Sequence, residues 1–212
     1  MTEKIKKAKA PQIYWEIEVK DKNGKVISKK QASAKSWLVA FITLLKGQFA
    51  VSADAQTGTN NVSVVDEGGT GRNFPPFITY GTNSFSCLGA AANVNEGIVV
   101  GSGNTANLIT TYMLTSKILH GSTSGLLLYG ASSIEDVTNP SGNDLQFRIT
   151  RTFTNNTGAT VTVKEIGIIG RCCATGVVLR NFMIARDVLP SPTDVPDGAT
   201  LTIRYVAKIT VA

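Results

Sequence analysis

Three stretches of the chain alternate apolar and polar residues with a period of two. Ile13, Trp15, Ile17 and Val19 alternate with Tyr14, Glu16, Glu18 and Lys20; Leu145, Phe147 and Ile149 with Gln146, Arg148 and Thr150; and Leu201, Ile203, Tyr205, Ala207, Ile209 and Val211 with Thr202, Arg204, Val206, Lys208 and Thr210. Successive strand side chains point to opposite faces, so each stretch predicts a strand with one face in a core. Residues 12–31 read as a hairpin closed by Asp21-Lys22-Asn23-Gly24, residues that tolerate positive φ. Residues 145–154 and 159–170 read as a second hairpin around Asn155-Asn156-Thr157-Gly158, with a parity change at Glu165-Ile166 that points to a β-bulge.

Shorter strand signals lie at 62–65, 77–80, 85–88, 98–103 and 126–129, and a strand or connector at 111–118. Residues 176–187 predict a strand, 189–198 a rigid Pro-rich loop and 200–211 the last strand, while 132–144 is a polar loop. One segment has a helical period. Leu38, Phe41, Ile42, Leu45 and Phe49 share a stripe over 34–49, with Ser33 as N-cap and Gly47 near the end. The stripe suits either packing on the sheet or a partner surface. The sum is a mainly β chain: an antiparallel β-sandwich or jelly roll with one N-terminal β-hairpin and one amphipathic helix. Its organisation is a flexible basic arm over 1–11, hairpin plus helix over 12–50, and a β-sandwich body with long loops over 51–212.

Charge changes this picture at one end. Residues 1–50 hold 11 of the 21 basic residues and 4 of the 15 acidic ones, which leaves the rest of the chain one charge negative. A basic arm is either a solubilising terminus or a means of reaching an acidic surface, nucleic acid or an anionic membrane. It contains no Arg and few aromatics, so a nucleic-acid partner is not expected. The apolar run Trp37–Val51 is about fifteen residues and contains Lys46, so no membrane span is expected. Nor does the basic start read as a secretory signal. Cys87, Cys172 and Cys173 form no disulfide framework and read as reduced and mostly buried, although the odd count leaves an inter-subunit disulfide open.

Candidate chemistry is sparse. His120 is the single histidine and has no G-x-S-x-G serine to serve. Gly101-Ser102-Gly103-Asn104-Thr105 lacks the lysine and spacing of a phosphate loop and reads as a strand-ending turn. Asp66-Glu67 and Glu135-Asp136 are sequence neighbours, a poor arrangement for acid–base catalysis, and Asp194 with Asp197 lacks any EF-hand pattern. Arg151 and Glu165 each interrupt an apolar face, and as hairpin partners they would form a structural ion pair. No catalytic residue, no cofactor and no metal is expected.

Three runs carry a family resemblance. Ile98–Asn104 followed by Leu114–Ile118 resembles the VGTGxT … L … I pattern of tailed-bacteriophage structural proteins. Phe153-Thr154-Asn155-Asn156-Thr157-Gly158 with Val161–Gly167 is similar to their F-x-N-x-TG … V-x-E-I-G-L pattern. Ala185–Pro190 with Val195–Leu201 resembles their terminal strand pair and Pro loop. The resemblance covers about residues 98–212. It implies a virion protein made in the host cytoplasm: a homo-oligomer packing on other virion proteins, capsid or tail subunits, as a capsid decoration, neck or tail component. The alternative reading is a jelly-roll module of a tail fibre or tip that binds host surface glycan, with Tyr80, Tyr112 and Tyr129 as stacking residues in or near loops 52–97 and 131–143.

Overall fold

The computed structural model describes residues 12–34, 40, 62–74, 86–142, 144–174 and 178–210. In chain order the strands are β1 (Gln12–Lys20), β2 (Val26–Ser33), β3 (Val62–Val65), β4 (Gly71–Phe74), β5 (Gly97–Gly101), β6 (Leu128–Tyr129), β7 (Ser133–Ile134), β8 (Asp144–Thr154), β9 (Val161–Ala174), β10 (Val178–Val195) and β11 (Thr200–Thr210). A large sheet runs β2-β1-β11-β8-β6, with β7 also on β8. A small sheet runs β10-β9-β5, and β3-β4 stand as a separate hairpin. Every pairing between these strands is antiparallel. The fold is mainly β, as the alternation predicts.

The N-terminal hairpin forms where expected. Asp21 Oδ1 accepts the Asn23 and Lys25 N–H groups, and Gly24 takes φ +81°, a conformation that favours glycine. The hairpin is continuous with the large sheet: β1 pairs along its whole length with β11, Gln12 opposite Lys208 and Lys20 opposite Thr200.

The second expected hairpin does not exist. Strands β8 and β9 follow each other in sequence but lie in different sheets, β8 on β11 and β9 on β10 and β5. Alternation fixes which residues share a face and is blind to which strand lies alongside. The turn that looks like a hairpin tip is an arch. Asn155, fully buried, donates through Nδ2 to Ala159 O and Val195 O, and its Oδ1 accepts from the Thr157 N–H and hydroxyl. Gly198 N donates to Asn155 O and Gly158 N to Asp197 Oδ1, so the arch is tied to the β10–β11 turn.

Two further expectations change along β9 and β10. The register does break opposite Glu165, but the extra residues belong to β10, where Val188 faces Glu165 and Thr193 faces Val163. The parity change in β9 arises because both faces of its middle are buried, so apolar residues become continuous over Ile166–Ile169. The Pro-rich segment is part of β10, its prolines bulged out where no ladder N–H is needed. Lys30 Nζ reaches across to Ser191 O, Pro192 O and Thr193 Oγ1 of this bulge.

Residues 111–118 are a connector that bridges Gly101 at Lys117, the strand at 126–129 shrinks to β6, and the polar loop 132–144 contains β7. The amphipathic helix expected over 34–49 is not seen as an element: Ala34 is coil, Ala40 is a single helical and buried position, and the rest of the segment lies outside the described residues. The basic arm 1–11 and the strand at 77–80 also lie outside them. Among the described residues no helix is long and apolar enough to cross a membrane.

The buried residues of both sheets belong to one hydrophobic cluster. Registers divide the apolar face of the large sheet into rows of directly opposed residues: Val19-Leu201-Phe153, Ile17-Ile203-Arg151, Trp15-Tyr205-Ile149, Ile13-Ala207-Phe147 and Ile209-Leu145. The first two rows are fully buried. Exposure then rises to 38% at Phe147, 45% at Leu145 and 50% at Ile209. The apolar face therefore extends past whatever covers it.

Candidate functional site

Among the described residues the most deeply buried charged side chains, Arg151, Glu165 and Arg186, form two polar centres, and both hold the chain's own loops. The first is Arg151, in the second buried row, 1% exposed. A guanidinium has five N–H donors in a fixed fork. All five are taken by backbone carbonyls: Nε by Gly130 O at 2.8 Å, Nη1 by Glu96 O at 2.8 Å and Ile98 O at 2.9 Å, Nη2 by Ala90 O at 2.8 Å and Asn93 O at 2.7 Å. The Tyr129 ring lies 4.8 Å from the guanidinium carbon and the Phe153 ring 6.0 Å, so apolar walls contribute cation–π attraction. Burial lowers the Arg151 pKa, with the charges of Tyr129 and Glu96 opposing. Because the loop folds tightly around the side chain, a Cβ on Gly89 would sit 2.1 Å from Glu96 O.

The second centre corrects the expected Arg151–Glu165 pair. Glu165 instead pairs with Arg186 of β10, Nε to Oε2 at 2.7 Å, both side chains almost wholly buried. The carboxylate also accepts the Gly103, Thr115 and Ser116 N–H groups. Arg186 donates onward to Asn107 Oδ1, Thr105 O and Thr115 Oγ1, and Asn107 Nδ2 returns a bond to Arg186 O. The pair fails to reach Arg151 because β8 and β9 sit in different sheets. The glycine-rich turn 101–105 does cradle an anion, but that anion is the chain's own Glu165. A Cβ on Gly101 or Gly103 would stand 2.5 or 2.6 Å from Glu165 Oε1, which is why only glycine fits there.

The remaining candidates are dispersed. His120 is exposed, and its Nδ1 accepts the Tyr129 N–H at 3.0 Å. In a Ser-His-Asp triad that atom carries a proton donated to a carboxylate, so the geometry here serves the turn. Asp66 accepts from Arg72 Nε at 2.7 Å and Thr70 N at 2.8 Å; burial pushes its pKa up, and these bonds outweigh that to hold it below the ordinary value. Its neighbour Glu67 pairs with Lys117. Glu135 pairs with Arg148 at the surface. Asp194 accepts from Thr162 Oγ1 and Asp197 from Gly158 N. Among the described residues no three His, Cys, Asp or Glu side chains cluster as a metal site.

Of the expected stacking tyrosines, Tyr129 is interior: its hydroxyl donates to Ile118 O at 2.6 Å, and burial raises its pKa. Tyr112 is exposed beside Gly69, and Tyr80 lies outside the described residues. Cys87 is a buried free thiol, its pKa pushed up to about 12 by burial and then by the Glu96 charge, which keeps it protonated and unreactive at neutral pH. An open depression of about 550 Å³ is lined by Asp66, Glu67, Lys117, Leu179 and Arg180 among others, and the first three of these are already paired.

Arg186, Asn155 and Asn107 are the residues whose roles the sequence does not announce. Arg186 and Asp187 do break the apolar run Phe182–Leu189, which is the available signal for a buried charge. Comparison with known proteins returns nothing: no family model, no curated protein and no solved structure matches this chain.

Proposed function

We propose that this chain is a non-enzymatic structural subunit of a phage-like virion, whose two sheets form a sandwich and which assembles with copies of itself and with other virion subunits of capsid or tail. One observation carries the reading. The buried charges Arg151, Glu165 and Arg186 are saturated by the chain's own loops, while apolar side chains on the sheet end and loop surfaces are left open. Reactive sites keep a polar group free for substrate; contiguous exposed apolar surface marks interaction. The strand and turn runs that resemble phage structural proteins, at 98–118, 153–167 and 185–201, are the same runs that build the Glu165–Arg186 centre and the Asn155 arch. That gives the resemblance a physical content: those residues are the tie points of the fold. The glycan-binding alternative loses support because Tyr129 is interior.

The test is negative-stain electron microscopy of the purified full chain at low and high concentration. Rings, tubes or compact symmetric particles support the proposal, and their symmetry separates a tail or neck component from a capsid coat. A folded monomer at every concentration that binds no virion component contradicts it.

A further inference from the structure

We propose that copies of this chain join head to tail, the Leu108–Ile109 tip of one copy seating on the exposed end of the large sheet of the next. This rests on the self-assembly reading and names its surfaces.

The tip is built as an anchor. Leu108 and Ile109 are 67% and 70% exposed, which with Val137 at 68% makes them the most exposed of the large apolar side chains described. Two such side chains adjacent on one tip form a small contiguous apolar patch, the kind of surface that marks interaction. The residue before them, Asn107, is clamped in both directions by buried Arg186. The turn itself is closed by Thr111 N donating to Leu108 O and Leu108 N donating to Thr111 Oγ1. Both stems of the loop end on Glu165, through Gly103 N and Ser116 N. A projection held this way has little conformational freedom left to lose on binding, which favours affinity.

The receiving surface is the end of the large sheet where Ile13, Ala207, Phe147, Ile209 and Leu145 share one face and exposure climbs row by row. Ile134 of β7, opposite Ile149, widens it. Charge is what matches the two. Residues 102–116 contain no ionisable side chain except the phenol of Tyr112, and the five face residues contain none. Joining these side chains buries no charge of their own, in a chain with 36 Asp, Glu, Lys and Arg residues. Because tip and face are different surfaces, the contact is heterologous, and it closes into a ring or continues as a filament according to its rotation.

The experiment mixes two variants of the full chain, each dead on one surface, and measures mass by sedimentation velocity. One is Leu108→Asp with Ile109→Asp; the other is Phe147→Asp, with Ile209→Glu as a second face variant should the first fold poorly. Wild type is expected to form rings or filaments. Each variant alone should need about tenfold or more higher concentration to assemble, the effect of losing a hot-spot anchor. A mixture of tip and face variants should form one-to-one dimers and stop there, because one intact tip meets one intact face. Variants that assemble like wild type overturn the inference and leave self-assembly standing. A mixture that stays monomeric overturns it in favour of a self-paired contact. A face variant with a lowered melting temperature beside a tip variant that assembles normally overturns it too, because the face is then covered within the same chain. Wild type monomeric throughout defeats the self-assembly reading itself.

Discussion

The two ends of the large sheet's apolar face obey the same alternation and have opposite fates. At the end near Val19, Leu201 and Phe153 every row is sealed, and even Arg151 within it finds a carbonyl for each N–H. At the end near Leu145 and Ile209 the same kind of residue stands half in water. The difference teaches that a strand's pattern declares which face is apolar, and that cover is a separate matter decided by other elements. At the sealed end the cover is the small sheet and two loops drawn in by buried charges. At the open end the described chain supplies none.

This comparison breaks most severely at Arg151. Arg151→Met keeps apolar bulk and removes five donors at once, leaving buried carbonyls short of partners; we expect a loss of about 4 kcal/mol or more in denaturant melts. Glu165→Gln comes next. It leaves Arg186 as a buried charge with weakened compensation and takes the anion out of the 101–116 loop, for an expected loss of about 3 kcal/mol. It should also raise protease cutting within that loop, which Arg151→Met would not do selectively.

Why were these centres only half legible? The chain shows Arg151 and Glu165 as charges on apolar faces, and that much is read correctly. Their partners are not those that sequence neighbourhood suggests, because the Asn155 arch sends β9 to another sheet. The edges of β1, β8 and β11 follow from local alternation, so they match closely. Strand β10 does not, because Pro190 and Pro192 mark a loop in most contexts and here sit in a bulge stabilised by Lys30 from β2. The glycines at 101 and 103 read as a turn, but the anion they approach is 62 residues beyond Gly103 and invisible to any local motif.

Smaller effects sharpen the contrast. Asn155→Ala removes four side-chain hydrogen bonds from the arch and should cost about 2 kcal/mol, measured the same way. At the open end, Asp144 gives a pH signature. Hydrogen bonding from Lys208, then Ser141 and Thr210, holds its carboxyl well below the usual carboxylate range. A group with a depressed folded pKa stabilises above its unfolded value near 4 and loses that contribution as pH falls further. The melting temperature should therefore drop below about pH 4, and Asp144→Asn should flatten that limb while leaving the neutral region lower. The smallest effect is Ile209→Glu: half exposed, it should shift stability by under about 0.5 kcal/mol. A large loss there would mean that the open end is closed by this chain itself.

The central claim is the proposal that this chain assembles with copies of itself. Sedimentation velocity of the wild-type protein across a wide concentration range tests it most directly. The account predicts species heavier than 22.5 kDa that grow with concentration and dissociate on dilution. A single folded monomer at every concentration would contradict it.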